Sequence, residues 1–144
     1  VTEADISLSG AHDLIAALLA ALRADASVQA VLGEPARVFD DETPSPAYPY
    51  AVIERHESQA ANGVMTRGLE HTVQIATYSR HGGAYESKRL LSALRAAFEG
   101  LHITLPDQRV VLLIPTYCDA MRTKNQYLFR GVLRVRIVTE ELGS

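Results

Sequence analysis

The chain has one cysteine, Cys118, no tryptophan and two methionines in 144 residues. A lone thiol excludes an intrachain disulfide framework and any multi-cysteine zinc site, and it is compatible with a reducing compartment. Long apolar runs are also missing. No segment approaches the ~20 uninterrupted apolar residues of a membrane-crossing helix, because the alanine-rich N-terminal stretch is broken by Arg23 and Asp25. No basic region with a cleavable apolar core precedes it, so no targeting signal is expected. Nor is there a large excess of one charge: 14 basic against 17 acidic residues leave a net −3, which exerts no global pull on nucleic acid or anionic membranes. What remains is an ordinary globular composition, 47% hydrophobic and 22% charged. It suits one domain over residues 1–144, with a core that needs neither disulfide nor structural metal.

The segment Leu69–Gly100 organises the rest. Leu69, Val73, Ile75 and Thr77 alternate with Glu70, Thr72, Gln74 and Ala76, the period of a half-buried strand, and His71 is the polar member of the apolar face. After Gly82-Gly83 the period changes. Leu91, Leu94 and Phe98, flanked by Leu90 and Ala97, recur at helical spacing, while Lys88, Arg89, Arg95 and Glu99 fall on other sides. Gly100 ends the helix. A strand and a helix of this kind define a layer of sheet packed on a layer of helix.

Elsewhere the pattern extends the same architecture. Residues 1–9 read as a flexible polar arm, with Ser9 as N-cap of a helix from Ala11 to Ala24. That helix has an apolar stripe of Leu14, Ile15, Leu18, Leu19 and Leu22; its other side carries Asp13 and the small residues Ala16, Ala17 and Ala20. Ser27–Leu32 reads as a short helix closed by Gly33, and Arg37–Asp40 as a short strand. Three prolines in Asp41–Pro49 hold a loop extended. Tyr50–Glu57 is a strand, joined to Leu69 by a long loop, Ser58–Gly68, of the kind that makes contacts. Arg109–Met121 is apolar enough to predict a strand covered on both faces, with Pro115 requiring a bulge or an edge. In Tyr127–Thr139, Phe129, Leu133, Val135 and Ile137 share one face with Gly131, and Arg130, Val132, Arg134 and Arg136 share the other. The expected fold is α+β: a mostly antiparallel sheet of four to five strands with two main helices packed on one face.

Chemistry is harder to find. A symmetrical hairpin would bring His56 and His71 together with Glu54 on the same strand face, a conceivable metal- or ligand-binding site of a small enzyme. Cys118-Asp119 lacks a histidine placed to activate it. His12-Asp13 lies at the expected helix start, where an acid meets the macrodipole. His81-Gly82-Gly83 lacks the spacing and lysine of a phosphate loop. Arg130, Arg134 and Arg136 fit a solvated face, carboxylates of another subunit, or the phosphates of nucleic acid; a shortage of interleaved aromatics argues against a stacking platform for single strands.

The order of motifs is more specific than any one of them. ALRAD in the first helix, RVFD, YPYAVI, LEHTVQIATYSRHGG with its helix, and GVLRVRIVTE together resemble the tail-completion or tail-terminator proteins of long-tailed phages and of phage-derived gene transfer agents. The resemblance runs from Leu14 to Glu140 and departs at Tyr78, where many relatives carry tryptophan. It implies a structural, non-enzymatic protomer of a ring, similar to hexamers that cap the tail tube and join it to the head-side connector. It carries no catalytic residue and no cofactor. Within that implication, Ala16, Ala17, Ala20, Arg130, Arg134 and Arg136 are expected at subunit interfaces. Asn62, Gly63, Val64, Met65 and Arg67 are expected to contact the tail tube, and DNA is expected to pass through the ring without specific recognition.

Overall fold

The structure, a computed structural model, describes residues 3–40, 46–61, 68–80, 83–124 and 127–142, with side chains described from residue 11 onward. Among the described residues, three helices, α1 (Glu3–Ala24), α2 (Ala26–Leu32) and α3 (Gly83–Glu99), accompany five strands: β1 (Val38–Phe39), β2 (Tyr50–Ala60), β3 (Gly68–Ser79), β4 (Gln108–Arg122) and β5 (Phe129–Glu141). The sheet order is β1-β2-β3-β5-β4. Only β1 and β2 run parallel; the other pairs are antiparallel, so the expected α+β class is found.

Alternation decides which sheet face is covered. Ala51, Ile53, Val73, Ile75, Leu133, Val135 and Ile137 point inward and join one cluster with Leu14, Leu18 and Leu22 of α1, Val28 and Leu32 of α2, and Leu90, Leu94 and Phe98 of α3. The helical stripes read from sequence are the buried ones. α1 packs beside α2 and β1, toward one lateral end of the sheet, and α3 covers β3, β5 and β4 toward the other. Asp25 separates α1 from α2. Its Oδ1 accepts hydrogen bonds from the backbone N–H of Ser27 at 2.9 Å and of Val28 at 3.1 Å, which satisfies two otherwise unpaired donors of the new helix. The Ser27 side-chain hydrogen bond, first among these contacts, holds the Asp25 carboxyl below its ordinary value. Gly33 ends α2 at φ 92°, a left-handed conformation that favours glycine.

Two expectations are corrected. The helix begins at Glu3, so residues 3–9 are helical and Ser9 lies inside α1 instead of capping it. Once a long downstream helix is nucleated, each added residue contributes a hydrogen bond without a new nucleation cost. His12-Asp13 is consequently mid-helix, away from the macrodipole end. The second correction concerns β4, which is an edge strand rather than one covered on both faces: Val111, Ile114, Tyr117 and Met121 are 46, 42, 43 and 39% exposed. Pro115 meets its expectation, with register shifts at Val110/Leu112 and Pro115/Tyr117 and a place on the outermost strand.

At Gly131, β5 closely approaches Leu91 of the helix layer and Thr77 of the neighbouring strand. A Cβ there would lie 2.4 Å from Thr77 Oγ1 and 3.0 Å from Leu91 Cδ1. Gly131→Ala is expected to lower stability by ~1–3 kcal/mol, the usual cost of overpacking. A urea unfolding midpoint equal to that of the unsubstituted protein would show that the contact yields freely.

Candidate functional site

Opposite the helices lies an open sheet face whose side chains register in rows. Met121, Arg130, Tyr78 and Tyr50 form one row; Tyr117, Arg134, Gln74 and Arg55 form another; Ile114, Arg136, Thr72 and Glu57 a third. The arginines of β5 are therefore flanked by aromatic and apolar groups from neighbouring strands, which their own strand could not reveal. The supposed shortage of aromatics on this face is corrected. Tyr50 and Tyr78 stack with centroids 5.2 Å apart, and the Arg134 guanidinium lies 4.6 Å above the Tyr117 ring.

Carboxylates on the same face take up most of the positive charge. Arg130 pairs with Glu54, Arg136 Nε donates to Glu70 at 2.8 Å, and Arg55 pairs with Glu57. The Arg136 hydrogen bond holds the Glu70 carboxyl below its ordinary value. Arg134 is different: its Nε donates to the Gln74 amide oxygen at 2.7 Å, and Gln74 Nε2 in turn donates to Glu54 at 2.5 Å. A face with its guanidinium groups matched in this way releases few counterions to phosphate, which disfavours the nucleic-acid reading of Arg130, Arg134 and Arg136.

The same network separates Glu54 from the histidines. Register shifts between Ile53 and Arg55, so Glu54 is the extra residue of a bulge; its carboxylate meets Gln74 and Arg130 on the outer face. His56 realigns with Val73 and points to the core face. His56 and His71 do come together there, diagonally, with Nε2···Nδ1 at 2.8 Å, while Ser58 is the residue directly opposite His71. The expected two-histidine, one-carboxylate grouping is thus corrected to two histidines and a serine. His71 is fully buried, and burial, with the neighbouring His56 adding to it, pushes its imidazole down to about 4.

The remaining candidates are dispersed. Ala16 and Ala20 are exposed on α1, whereas Ala17 is half-buried and packs on the core. Asn62, Gly63, Val64, Met65 and Arg67 lie outside the described residues, as do His81 and Gly82. Cys118 sits on β4 beside α3, where a shallow groove of about 490 Å³ is lined by Lys88, Leu91, Ser92 and Arg95. Burial pushes its thiol up, the opposite of an activated nucleophile. Asp119 is engaged with the Tyr117 hydroxyl and the Ala120 N–H.

Helices thus cover one side of the sheet, and the other side presents a charge-matched face with an apolar open edge. A chain solved within the virion of a native gene transfer agent particle is similar to this one, with a TM-score of 0.80 and 27% identity, covering 91% of this chain and 97% of that one. Bacteriophage SPP1 gp17 shares the fold, with a TM-score of 0.58 and 13% identity over 93% of this chain and 91% of its own. No curated protein sequence matches. Residues 16–140 match the family described as tail completion protein gp17, and the chain belongs to that family of structural phage-tail proteins. It is not an enzyme.

Proposed function

We propose that this chain forms a closed ring that terminates the tail tube and joins it to the head-side connector of a phage or gene transfer agent particle. The observation that carries the reading is the exposed apolar row of β4. Subunits in a ring meet through two unlike surfaces. The β4 edge lies at one lateral end of the sheet, and α1, with Ala16 and Ala20 exposed, lies toward the other. Small residues allow a neighbour's side chains to approach the helix closely. Arg134 and Tyr117 join the β4 surface, while Arg130 and Arg136 would contribute by sharing their carboxylates with the next subunit. Ala17 contributes through the helix packing that supports its neighbours.

Six subunits are expected from the resemblance. The segment holding Asn62, Gly63, Val64, Met65 and Arg67 connects β2 to β3 and is assigned to the tail tube. DNA crosses the lumen without specific recognition, which a net charge of −3 supports. Deleting Asn62–Met65 should leave oligomerisation intact and abolish capping of tubes. Electron microscopy of reconstituted tubes checks this: tubes of uniform length with the deleted protein would remove the segment from the tube contact.

A further inference from the structure

We propose that His56, Ser58 and His71 form a binding site for a divalent transition-metal ion of the zinc or nickel kind. Three donor atoms converge at the core-side mouth of the β2–β3 ladder. His56 Nε2 lies 2.8 Å from His71 Nδ1, Ser58 Oγ lies 3.0 Å from His71 Nδ1, and Ser58 Oγ lies 3.3 Å from His56 Nε2. Ligand atoms around a tetrahedral zinc ion with bonds of ~2.0–2.1 Å stand about 3.3 Å apart, so this triangle approximates one face of the coordination shell. The ion would replace the proton that the two imidazoles now share. A slight opening of the pair is enough to bring both lone pairs onto it.

The surroundings fit a ligand site better than a hydrogen-bonded curiosity of packing. Thr139 Oγ1 stands 3.1 Å from His71 Nε2, placed to accept that ring's N–H in the tautomer whose Nδ1 lone pair faces the pocket. An outer partner of this kind fixes the tautomer and orientation of a metal-bound histidine. Access is open on the other side, since His56 is half-buried and Ser58 exposed, so water can complete the shell of a bound ion there. The fold itself has no need of these polar groups. Neighbouring inward positions are Val73, Ile75, Val135 and Ile137, and an apolar residue in place of His71 would avoid the cost of burying an imidazole.

Donor chemistry narrows the ion. Imidazole nitrogen suits zinc, nickel and copper, while magnesium and calcium require oxygen-rich shells. No group of three histidine, cysteine or carboxylate side chains stands together among the described residues, so the third protein ligand is a neutral hydroxyl and binding is weaker than in a structural zinc site. The bound ion would clamp β2 to β3 beside the segment assigned above to the tail tube. The site stands independently of that assignment.

Zinc titration of the full chain, stripped with chelator, tests the proposal. Calorimetry and dialysis with elemental analysis should give one ion per chain at about 100 µM free zinc, together with a higher unfolding temperature, because an ion that binds the folded state stabilises it by mass action. His56→Gln should abolish binding, and Thr139→Val should weaken it ~10-fold or more. Zinc-dependent shifts of the ring resonances of His56 and His71 in the unsubstituted protein provide a readout that needs no variant to fold. His12→Gln and His102→Gln control for surface histidines and should bind as the parent does. Absence of a stoichiometric ion, shifts confined to other histidines, or unchanged binding by a folded His56→Gln protein would overturn the site.

Discussion

Ile114→Asp combined with Met121→Asp is expected to produce a folded monomer that neither forms rings nor caps tubes. Both side chains are exposed on β4, at 42 and 39%, so their replacement removes little from the core. Full burial of such a side chain is worth ~1.5–3 kcal/mol, and a carboxylate trapped in its place must be desolvated without a partner, so two substitutions cost an interface several kcal/mol. The edge itself is guarded against indiscriminate strand pairing. Pro115 has no N–H to donate, and the Asp119 carboxylate accepts the Ala120 N–H at 2.9 Å. Contact through side chains, rather than continuation of the sheet, follows from that arrangement. Light scattering across a concentration series, with and without tubes, reads assembly; unfolding curves report whether the monomer is intact. Rings formed at the parental concentration would exclude the β4 row from the interface.

Acid is expected to weaken the fold before most carboxylates titrate. His71 falls from an ordinary value of 6.5 to about 4, principally through burial and then through the nearby His56, whose own value burial also lowers. The folded state therefore binds fewer protons than the unfolded chain between those limits. Stability from this group is complete above pH 6.5, declines as pH falls from 6.5 toward 4, and levels off below that. The full loss is ~3 kcal/mol, with a slope near 1.4 kcal/mol per pH unit inside the window. Urea unfolding from pH 7 to 5, in chelator so that no metal contributes, should show this slope. His71→Leu should flatten it, apart from the smaller part due to His56. Equal slopes in the two proteins would contradict a buried neutral imidazole.

These two effects differ in how far they could be seen in advance. His71 stood out as the polar member of an apolar strand face, and its burial followed directly from alternation along β3. Its approach to His56 also followed from the hairpin. Glu54 did not behave as its two-residue spacing implied, because the bulge between Ile53 and Arg55 reverses which face the carboxylate takes. A bulge belongs to a pair of strands and leaves little trace in either one. The arginine row was legible on β5, but its partners Glu54, Glu70, Gln74 and Tyr117 come from three other strands, so matched charge looked like free charge.

The β4 surface was misread for a related reason. Its apolar run, Val110–Ile114, suits an edge strand awaiting a neighbour as well as an interior strand, and only the order β1-β2-β3-β5-β4 tells them apart. Periodicity by itself determined the α+β class, the strands and the buried faces of α1, α3, β3 and β5, because those depend on contacts between residues a few positions apart and on the burial of apolar stripes; the N-terminal start of α1 and the exposed face of β4 it did not. The shared order of motifs identified the family. Tertiary structure decided which strand is the edge, where Glu54 points, which guanidinium groups are matched, and that Ser58 joins the two histidines. Each of these is set by pairing between distant segments, where the register of one strand fixes what the side chains of another can reach.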